Sequence, residues 1–258
     1  MRLVVVDGER EAGGFVADLI AGIVNADPTV NLGLATGRSP LPVYDDLIRR
    51  YQQNEVSFGS TSVFLLDEYV GLPREHRASF RSTIRRVFSG HTDLPDQRVF
   101  GPQAELRRLQ AACHSYEQSI RDAGGIAVQL LGIGSNGHIG FNEPPSSLGS
   151  RTRPVRLTAQ TREDNARNFG SPEEVPTGAL TQGIGTILEA GRLVLIAFGA
   201  RKARAVAAAV EGPVTEMCPA SALQLHADAT IVADRAAASL LSAGESTELA
   251  GAQRRGRP

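Results

Sequence analysis

The sequence predicts an α/β fold, with an open, mainly parallel sheet and helices on both of its faces. Short apolar runs, most of them rich in β-branched residues, alternate with amphipathic runs from one end of the chain to the other. Within the apolar runs the hydrophobic residues are continuous, as in strands that are covered on both faces. Such alternation is typical of βαβ crossovers, which build parallel sheets.

Six apolar runs are predicted to be strands, because each is short and bounded by polar or turn-forming residues. In chain order they are Leu3–Val6, Thr29–Ala35, Ser62–Leu66, Ala127–Gly132, Leu193–Phe198 and Thr230–Ala233. The segments between them carry apolar residues at helical spacing. The predicted helices are Glu9–Asn25, Pro40–Gln52, Ala104–Asp122, Arg201–Val210 and Arg235–Leu241. For the second helix, Ser39 is the expected cap and Pro40 the first helical residue.

The chain shows no internal repeat and no linker that would divide it. At 258 residues it has enough length for one large α/β domain. We therefore predict a single domain over residues 1–243. Residues 244–258 lose the apolar period and end in an arginine-rich stretch, so a flexible, solvated C-terminal tail is expected there.

Charge and cysteine usage exclude several classes of function. Lysine and arginine number 27 against 28 acidic residues, which argues against nucleic-acid binding. The N-terminal apolar run is four residues long, too short for a signal-peptide core or a membrane span. Cys113 and Cys218 have no paired spacing and no histidine cluster beside them. Reduced thiols in the cytoplasm are the expectation.

Ligands of open parallel sheets bind beyond the carboxyl ends of the strands, and three turns at such ends carry polar or glycine-rich sequences. The first is Thr36-Gly37-Arg38-Ser39 before Pro40. Free backbone N–H groups at a helix start suit a phosphate. The spacing of the glycines and the missing lysine exclude a Walker A loop. An ordinary strand–helix turn remains the alternative.

The second turn places two carboxylates, Asp67 and Glu68, directly after a predicted strand. A carboxylate there is shielded from water, so its pKa can rise into the range of a general base. Because side chains alternate along a strand, only one of the two can face the crevice. An acidic pair that caps a helix or forms salt bridges is the alternative.

The third turn, Gly132–Pro144, contains a literal G-x-G-x-x-G. A dinucleotide-binding loop would need a helix at its third glycine, but the sequence continues with a further glycine and two prolines, so we set that interpretation aside. The turn brings His138 close to Glu143, with Asn136 alongside. This pattern favours proton transfer by the imidazole. No second histidine or cysteine has ligand spacing, so no metal site is predicted.

Taken together, these turns resemble the glucosamine-6-phosphate deaminase/isomerase family. The matching stretches include LGLATGRSP, LLDEYVGLP, GHIGFNEP, VPTGALTQGIGTI and PASALQLH, which occur in the family order. They cover about residues 30–240 of the chain. The pair LDEYVGLP and GHIGFNEP is the most specific. The resemblance implies a Rossmann-like three-layer fold of the sugar-phosphate isomerase type and an amino-sugar phosphate as substrate.

The resemblance also implies roles for individual residues. Asp67 would move a proton between C2 and C1 of the open sugar. His138 would act in ring opening, supported by Glu143 and Asn136. The implied phosphate-binding residues are Thr36, Gly37, Arg38, Ser39, Arg167 and Lys202. Family members use no organic cofactor and no catalytic metal, so none is expected here.

Three positions depart from the family pattern. Arg38 replaces a small residue, and we expect its cation to contact the phosphate. Val155 replaces a lysine with which some hexameric members bind an N-acetylated sugar phosphate as activator, so little such activation is expected. Asn136 stands where some members have Asp, which affects only the details of the proton relay.

Two alternatives remain open. A lactonase-like hydrolase of the same fold would use His138 but would have no role for Asp67. A non-catalytic sugar-phosphate sensor would need a DNA-binding segment, and the chain starts directly with a strand. The sequence leaves open the gluco or galacto configuration of the substrate. It also leaves open the oligomeric state, a homo-oligomer being one of the states it allows.

Overall fold

The computed structural model of the chain describes residues 1–104, 108–242 and 247–249. Its strands, in chain order, are β1 Arg2–Val6, β2 Asn31–Leu34, β3 Ser62–Leu65, β4 Asp67–Tyr69, β5 Val99–Phe100, β6 Val128–Gly132, β7 Arg153–Arg156, β8 Gly178–Thr181, β9 Leu193–Ala197, β10 Ala229–Asp234 and β11 Thr247–Leu249. Its α-helices are α1 Glu9–Ala26, α2 Leu41–Gln52, α3 Phe80–Val87, α4 Leu109–Asp122, α5 Ala159–Asn165, α6 Ile184–Leu188 and α7 Ala203–Val210.

Eight strands form one sheet in the order β11-β1-β10-β9-β6-β2-β3-β5, and every neighbouring pair is parallel. The remaining strands form a small antiparallel sheet in the order β4-β8-β7. The open, mainly parallel sheet predicted from the sequence is therefore confirmed. From β2 the chain first adds strands on one side and then returns to the other side with β6. The carboxyl ends of β2 and β6 thus flank a topological switch point, where a ligand crevice opens.

Alternate residues of each strand enter separate hydrophobic cores, one on each face of the sheet. Val4, Leu32 and Leu130 pack with α1 and α2 on one face. Leu3, Leu131 and Leu195 pack with α4 and α7 on the other. This confirms the prediction of helices on both faces, and it explains why the strands read as continuous apolar runs.

Several predicted elements differ in the structure. The second helix begins at Leu41, with Pro40 as its N-cap and no capping side chain, so the prediction that Ser39 caps it is wrong. The helix predicted over Ala104–Asp122 begins at Leu109 instead, since Arg108 has a positive φ. Residues 105–107 lie outside the described part.

The C-terminal end of the described chain also differs from the predicted elements. Arg235–Leu241 form turns rather than a helix, so this prediction is wrong. The i→i−4 bond from Ala238 N to Asp234 O is followed by i→i−3 bonds, so no helical ladder is completed. The predicted flexible tail, residues 244–258, lies outside the described residues except for β11, which pairs with β1.

The described helices include none that is both long and apolar enough to cross a membrane. The longest, α1, has 18 residues and packs closely against α2. At that contact the backbone of Gly13 lies so near Pro42 that a Cβ on Gly13 would be 2.5 Å from the Pro42 carbonyl oxygen. The next residue, Gly14, has no atom within 4 Å of such a Cβ.

This difference makes the neighbouring glycines a matched pair for a stability test. Gly13→Ala should lower the free energy of unfolding by about 1–3 kcal/mol, because the two helices must move apart. Gly14→Ala should raise it by about 0.5–1 kcal/mol, because alanine favours the helix. Urea denaturation of both variants measures the difference. Equal effects of the two substitutions would contradict the close packing described here.

Candidate active site

A cavity of about 460 Å³ opens at the carboxyl ends of the central strands. The loops that follow β2, β3 and β6 form its walls, together with α3, α5 and the segment after β9. The predicted residues that line it are Thr36, Gly37, Arg38, Ser39, Asp67, His138, Arg167 and Lys202. Three turns that are far apart in sequence therefore meet in one place, as the rule for parallel sheets requires.

One wall of the cavity is the loop after β2. Thr36–Ser39 line the wall between the strand and α2. The Tyr44 hydroxyl donates a hydrogen bond of 2.6 Å to the carbonyl of Ala35 and ties this loop to α2. Tyr44 is itself fully buried. This buried hydrogen bond fixes the position of the loop relative to α2.

Four cationic side chains line the cavity among the described residues: Arg38, Arg86, Arg167 and Lys202. Lys202 is half-buried in the 3₁₀ helix after β9, and burial lowers the pKa of its amine, with the carboxylate of Asp164 acting in the opposite direction. The acidic residues in the same lining are Asp67 and Asp164. The cavity wall therefore carries an excess of positive charge, which suits a phosphorylated ligand.

The two adjacent carboxylates after β3 separate, because β4 places them on opposite sides of the strand. Asp67 lies in the cavity wall and is buried. Glu68 instead accepts hydrogen bonds from the backbone N–H groups of Phe80 and Arg81, at the start of α3, at 3.0 and 3.3 Å. Glu68 thus serves as a helix cap, the alternative that the sequence left open for one member of the pair.

Burial raises the pKa of Asp67 well above its ordinary value of 3.8, and the negative charge of Glu68 raises it further. No described residue donates a hydrogen bond to the Asp67 carboxylate. Gly140 lies directly over it, since a Cβ on Gly140 would be 3.7 Å from Asp67 Oδ2. The carboxylate therefore has a raised proton affinity, as a general base shielded from water requires.

The glycine-rich loop after β6 presents the imidazole of His138 to the cavity. A Cβ on Gly134 would lie 2.3 Å from the His138 ring, so the ring packs against a bare backbone. No helix occurs between residues 138 and 152, all of which are described. The G-x-G-x-x-G thus lacks the helix that a dinucleotide-binding loop requires, in agreement with the sequence interpretation.

Glu143 lies behind His138, away from the cavity lining, and its Oε2 is 3.4 Å from His138 Nδ1. The same oxygen accepts a hydrogen bond of 2.6 Å from Asn136 Nδ2, while Oε1 pairs with the hydroxyl of Thr161. Asn136 Oδ1 in turn accepts from the backbone N–H of His138 at 3.2 Å. Asn136 and Glu143 therefore act on His138 and do not line the cavity themselves.

Burial alone would raise the pKa of Glu143. The contact with His138 and the hydrogen bonds from Thr161 and Asn136 outweigh it and bring the pKa to about 2. Glu143 is thus ionised at every pH at which the protein would work. A fixed carboxylate at Nδ1 sets the tautomer of the imidazole and leaves Nε2 for chemistry.

Sequence reasoning missed several residues that line the cavity. Phe80, Thr83 and Arg86 lie on α3, which was not predicted, although Ser79 is its N-cap and accepts a hydrogen bond from Ser82 N. The serine cap followed by Phe80 and Ile84 at helical spacing is the signal that could have found this helix. Asp164, Asn165 and Asn168 were missed as well, since polar residues of α5 and the turn after it carry no distinctive pattern.

The described residues include no group of three or more His, Cys, Asp or Glu side chains that could hold a metal ion.

Comparisons with known proteins identify the family. The family of glucosamine-6-phosphate isomerases/6-phosphogluconolactonase matches residues 8–232. Glucosamine-6-phosphate deaminase from Corynebacterium aurimucosum is 52% identical over 241 residues, which are 93% of this chain and 94% of the relative. Glucosamine-6-phosphate deaminase from Rhodococcus opacus is also 52% identical, over 93% of each chain.

Solved structures agree with these relatives. A monomeric glucosamine-6-phosphate deaminase superposes with a TM-score of 0.90 at 43% identity and covers 93% of this chain and 100% of its own. The 6-phosphogluconolactonase from Trypanosoma cruzi has a TM-score of 0.72 at 18% identity, over 93% of this chain and 97% of its own. The second likeness concerns the fold alone.

The hydrogen bonds to Glu143 can be tested through its ionisation. Thr161→Val removes one of them, so the pKa of Glu143 should rise from about 2 towards 4.5. Because the folded-state pKa lies below the ordinary one, Glu143 stabilises the fold above pH 4.5, and this contribution is lost as pH falls towards 2. The loss should be smaller in Thr161→Val. A carboxyl NMR titration measures the pKa, with Thr177→Val as the exposed control. An unchanged pKa in Thr161→Val would contradict the geometry.

Proposed function

Because this chain belongs to the family of glucosamine-6-phosphate isomerases and 6-phosphogluconolactonases, we propose that its cavity converts glucosamine 6-phosphate into fructose 6-phosphate and ammonia. Deamination of this substrate is the activity for which the relatives from C. aurimucosum and R. opacus are named. The observation that carries the proposal is the buried Asp67 carboxylate with its raised pKa, placed in the same wall as His138. A hydrolase of lactones would have no use for that carboxylate.

The first step is opening of the sugar ring. His138 takes the proton of the C1 hydroxyl and returns a proton to the ring oxygen, which leaves an aldehyde at C1. The ionised Glu143 stabilises the imidazolium that forms between these two transfers. Asn136 holds Glu143 and the backbone of His138 at once, so the ring keeps its orientation through the step.

The second step moves a proton between carbons. Asp67 removes the proton from C2, and the electron pair forms a C1–C2 double bond. The C1 oxygen takes a proton from the neighbouring ammonium group of the substrate, giving an enolamine. Asp67 then delivers the proton to C1, and the nitrogen at C2 becomes an iminium group. Water adds to C2 and ammonia leaves, so that a ketose remains. The raised proton affinity of Asp67, in a site shielded from water, favours this transfer.

The phosphate lies away from the reacting carbons and anchors the substrate. Lys202, Arg167 and the loop Thr36–Ser39 line the same cavity and offer the cations and backbone N–H groups that suit a phosphate. Binding energy at such a remote group positions C1 and C2 against Asp67. Arg38, which departs from the family pattern, adds an exposed cation to this loop.

The remaining properties of the chain support a small-molecule substrate in a reducing compartment. Its formal net charge is −1, which offers no basic footprint for nucleic acid. Both cysteines are free and buried, which supports a cytoplasmic location.

Release of ammonia from glucosamine 6-phosphate is the direct test. Asp67→Asn keeps the size of the side chain but removes the base, so kcat should fall about 10²–10⁴-fold. The exposed Asp45 provides a matched control, since Asp45→Asn changes an aspartate of α2 outside the cavity lining and should leave the rate unchanged. Full ammonia release by Asp67→Asn would refute the assignment of the base. Absence of ammonia with the wild type would refute the proposed reaction.

The role of Arg38 has its own test. Arg38→Gly should raise KM for glucosamine 6-phosphate about two- to five-fold with little change in kcat, because an exposed cation contributes modestly to phosphate binding. Arg38→Lys keeps the charge and serves as the control. The difference in KM between Arg38→Gly and the wild type should become smaller as salt is added. A KM for Arg38→Gly equal to that of the wild type would count against a phosphate contact.

A further inference from the structure

A second cavity, of about 340 Å³, lies on the side of α3 opposite the active site. Arg74, Arg81 and Arg85 form its wall together with Glu75, Asp96 and Ser89. None of these residues lines the first cavity. A pocket of this volume is of the size that small ligands occupy.

Positive charge in this second cavity is only partly neutralised. Arg85 Nη1 lies 3.4 Å from Asp96 Oδ2, but both side chains are at least half exposed, so this ion pair is weak. The Arg81 guanidinium donates to the backbone carbonyls of Val99 and Asp96 and to no carboxylate of the described chain. Arg74 is exposed, and none of the described residues forms a hydrogen bond or ion pair with its guanidinium.

The three cations also act on one another. Burial lowers the pKa of Arg81, and the positive charges of Arg74 and Arg85 lower it further, against the opposing charges of Asp96 and Glu75. Three arginines share this wall with two carboxylates, so one positive charge is left without a matching negative one. An anion between the arginines would balance this charge.

Ser89, in the same wall, has a buried hydroxyl without a partner in the described part of the chain. Its side chain is 4% exposed, and its hydroxyl has no hydrogen-bond partner among the described residues. A buried hydroxyl without a partner is uncommon and calls for an explanation. An oxygen of a bound anion would satisfy it.

We propose that this second cavity is a phosphate-binding site, at which Arg74 and Arg81 hold a phosphate group and Ser89 contributes its hydroxyl. Guanidinium groups offer several N–H donors in a fixed plane and match phosphate oxygens better than they match a single halide ion. The ligand is either free phosphate or the phosphate of a small phosphorylated metabolite, since both present the same oxygens.

Its position links the second cavity to the active site through one short helix. Arg81 and Arg85, four residues apart, line the second cavity, whereas Phe80, Thr83 and Val87 line the first. The two sets lie on different faces of α3. The N-terminus of α3 is also held by Glu68, the neighbour of Asp67. Occupancy of the second cavity should therefore alter substrate binding in the first.

Calorimetric titration with inorganic phosphate tests the binding site without depending on the proposed activity. We expect the wild type to bind two phosphates per chain, one in each cavity. Lys202→Gln should weaken only the first site. Arg74→Gln should weaken only the second, about ten-fold or more, and Ser89→Ala should weaken it about a few-fold. Arg10→Gln, which changes an exposed arginine of α1 outside both cavities, is the control.

The absence of any phosphate site that Arg74→Gln weakens would overturn the proposal. A single site that Arg74→Gln removes and Lys202→Gln leaves intact would support it and would count only against phosphate binding in the first cavity. A titration with glycerol phosphate distinguishes a phosphorylated metabolite from free phosphate. If glycerol phosphate binds more tightly than inorganic phosphate, the cavity is assigned to a phosphorylated metabolite. If it binds more weakly, the cavity is assigned to the free anion. Either result supports the site, provided that Arg74→Gln abolishes binding of both ligands there.

The coupling through α3 rests on the proposed function and needs the enzymatic assay. Inorganic phosphate competes with substrate at the first cavity, so a plot of apparent KM against phosphate concentration is linear if only that cavity acts. A contribution from the second cavity should make the plot curve in the wild type and restore linearity in Arg74→Gln. Linear plots for both proteins would overturn the coupling while leaving the binding result intact.

Discussion

The burial of Asp67 beside Glu68 is the constraint on which the rest of the site depends. Two neighbouring carboxylates in a buried region repel each other, and the chain keeps them apart by passing through the short strand β4. Glu68 is directed into the backbone N–H groups at the start of α3, which compensate its charge. Asp67 receives no such compensation, and its proton affinity rises as a result. One carboxylate thus holds a helix of the cavity wall, while its neighbour is left free to exchange a proton with a ligand.

Beside His138, the surroundings of Glu143 have the opposite effect on a carboxylate. Here a carboxylate must stay ionised although it is half-buried, and the contact with His138 and the hydrogen bonds from Thr161 and Asn136 achieve this. One of them, Thr161, belongs to α5, the segment that also brings Asp164 and Asn165 to the cavity. The orientation of the imidazole therefore depends on α5 being in place, which joins His138 physically to the wall that α5 forms.

The sequence was sufficient to predict the parallel sheet and the meeting of its three polar turns, because both follow from short buried strands and from the common direction of parallel strands. It was not sufficient for the antiparallel strands β4, β7 and β8. These are only three or four residues long, and Arg153–Arg156 contains two arginines and a proline. Their pairing depends on tertiary contacts between segments that are distant in sequence, and no local sequence pattern predicts such contacts. The same holds for Thr161, whose importance comes from its partner 18 residues away in the chain.

The close contact between Gly134 and the His138 ring bears on how such sequences are searched. The glycines of the segment Gly132–Gly137 match a nucleotide-binding signature letter for letter, yet at least one of them is required because a flat ring of the same loop occupies the space of its side chain. A pattern search sees only the spacing of the glycines and will retrieve this loop among dinucleotide-binding proteins. The useful discriminator is the residue that follows: a histidine directly after the third glycine, with two prolines shortly beyond, describes a loop that closes on its own side chain and presents no helix terminus to a pyrophosphate.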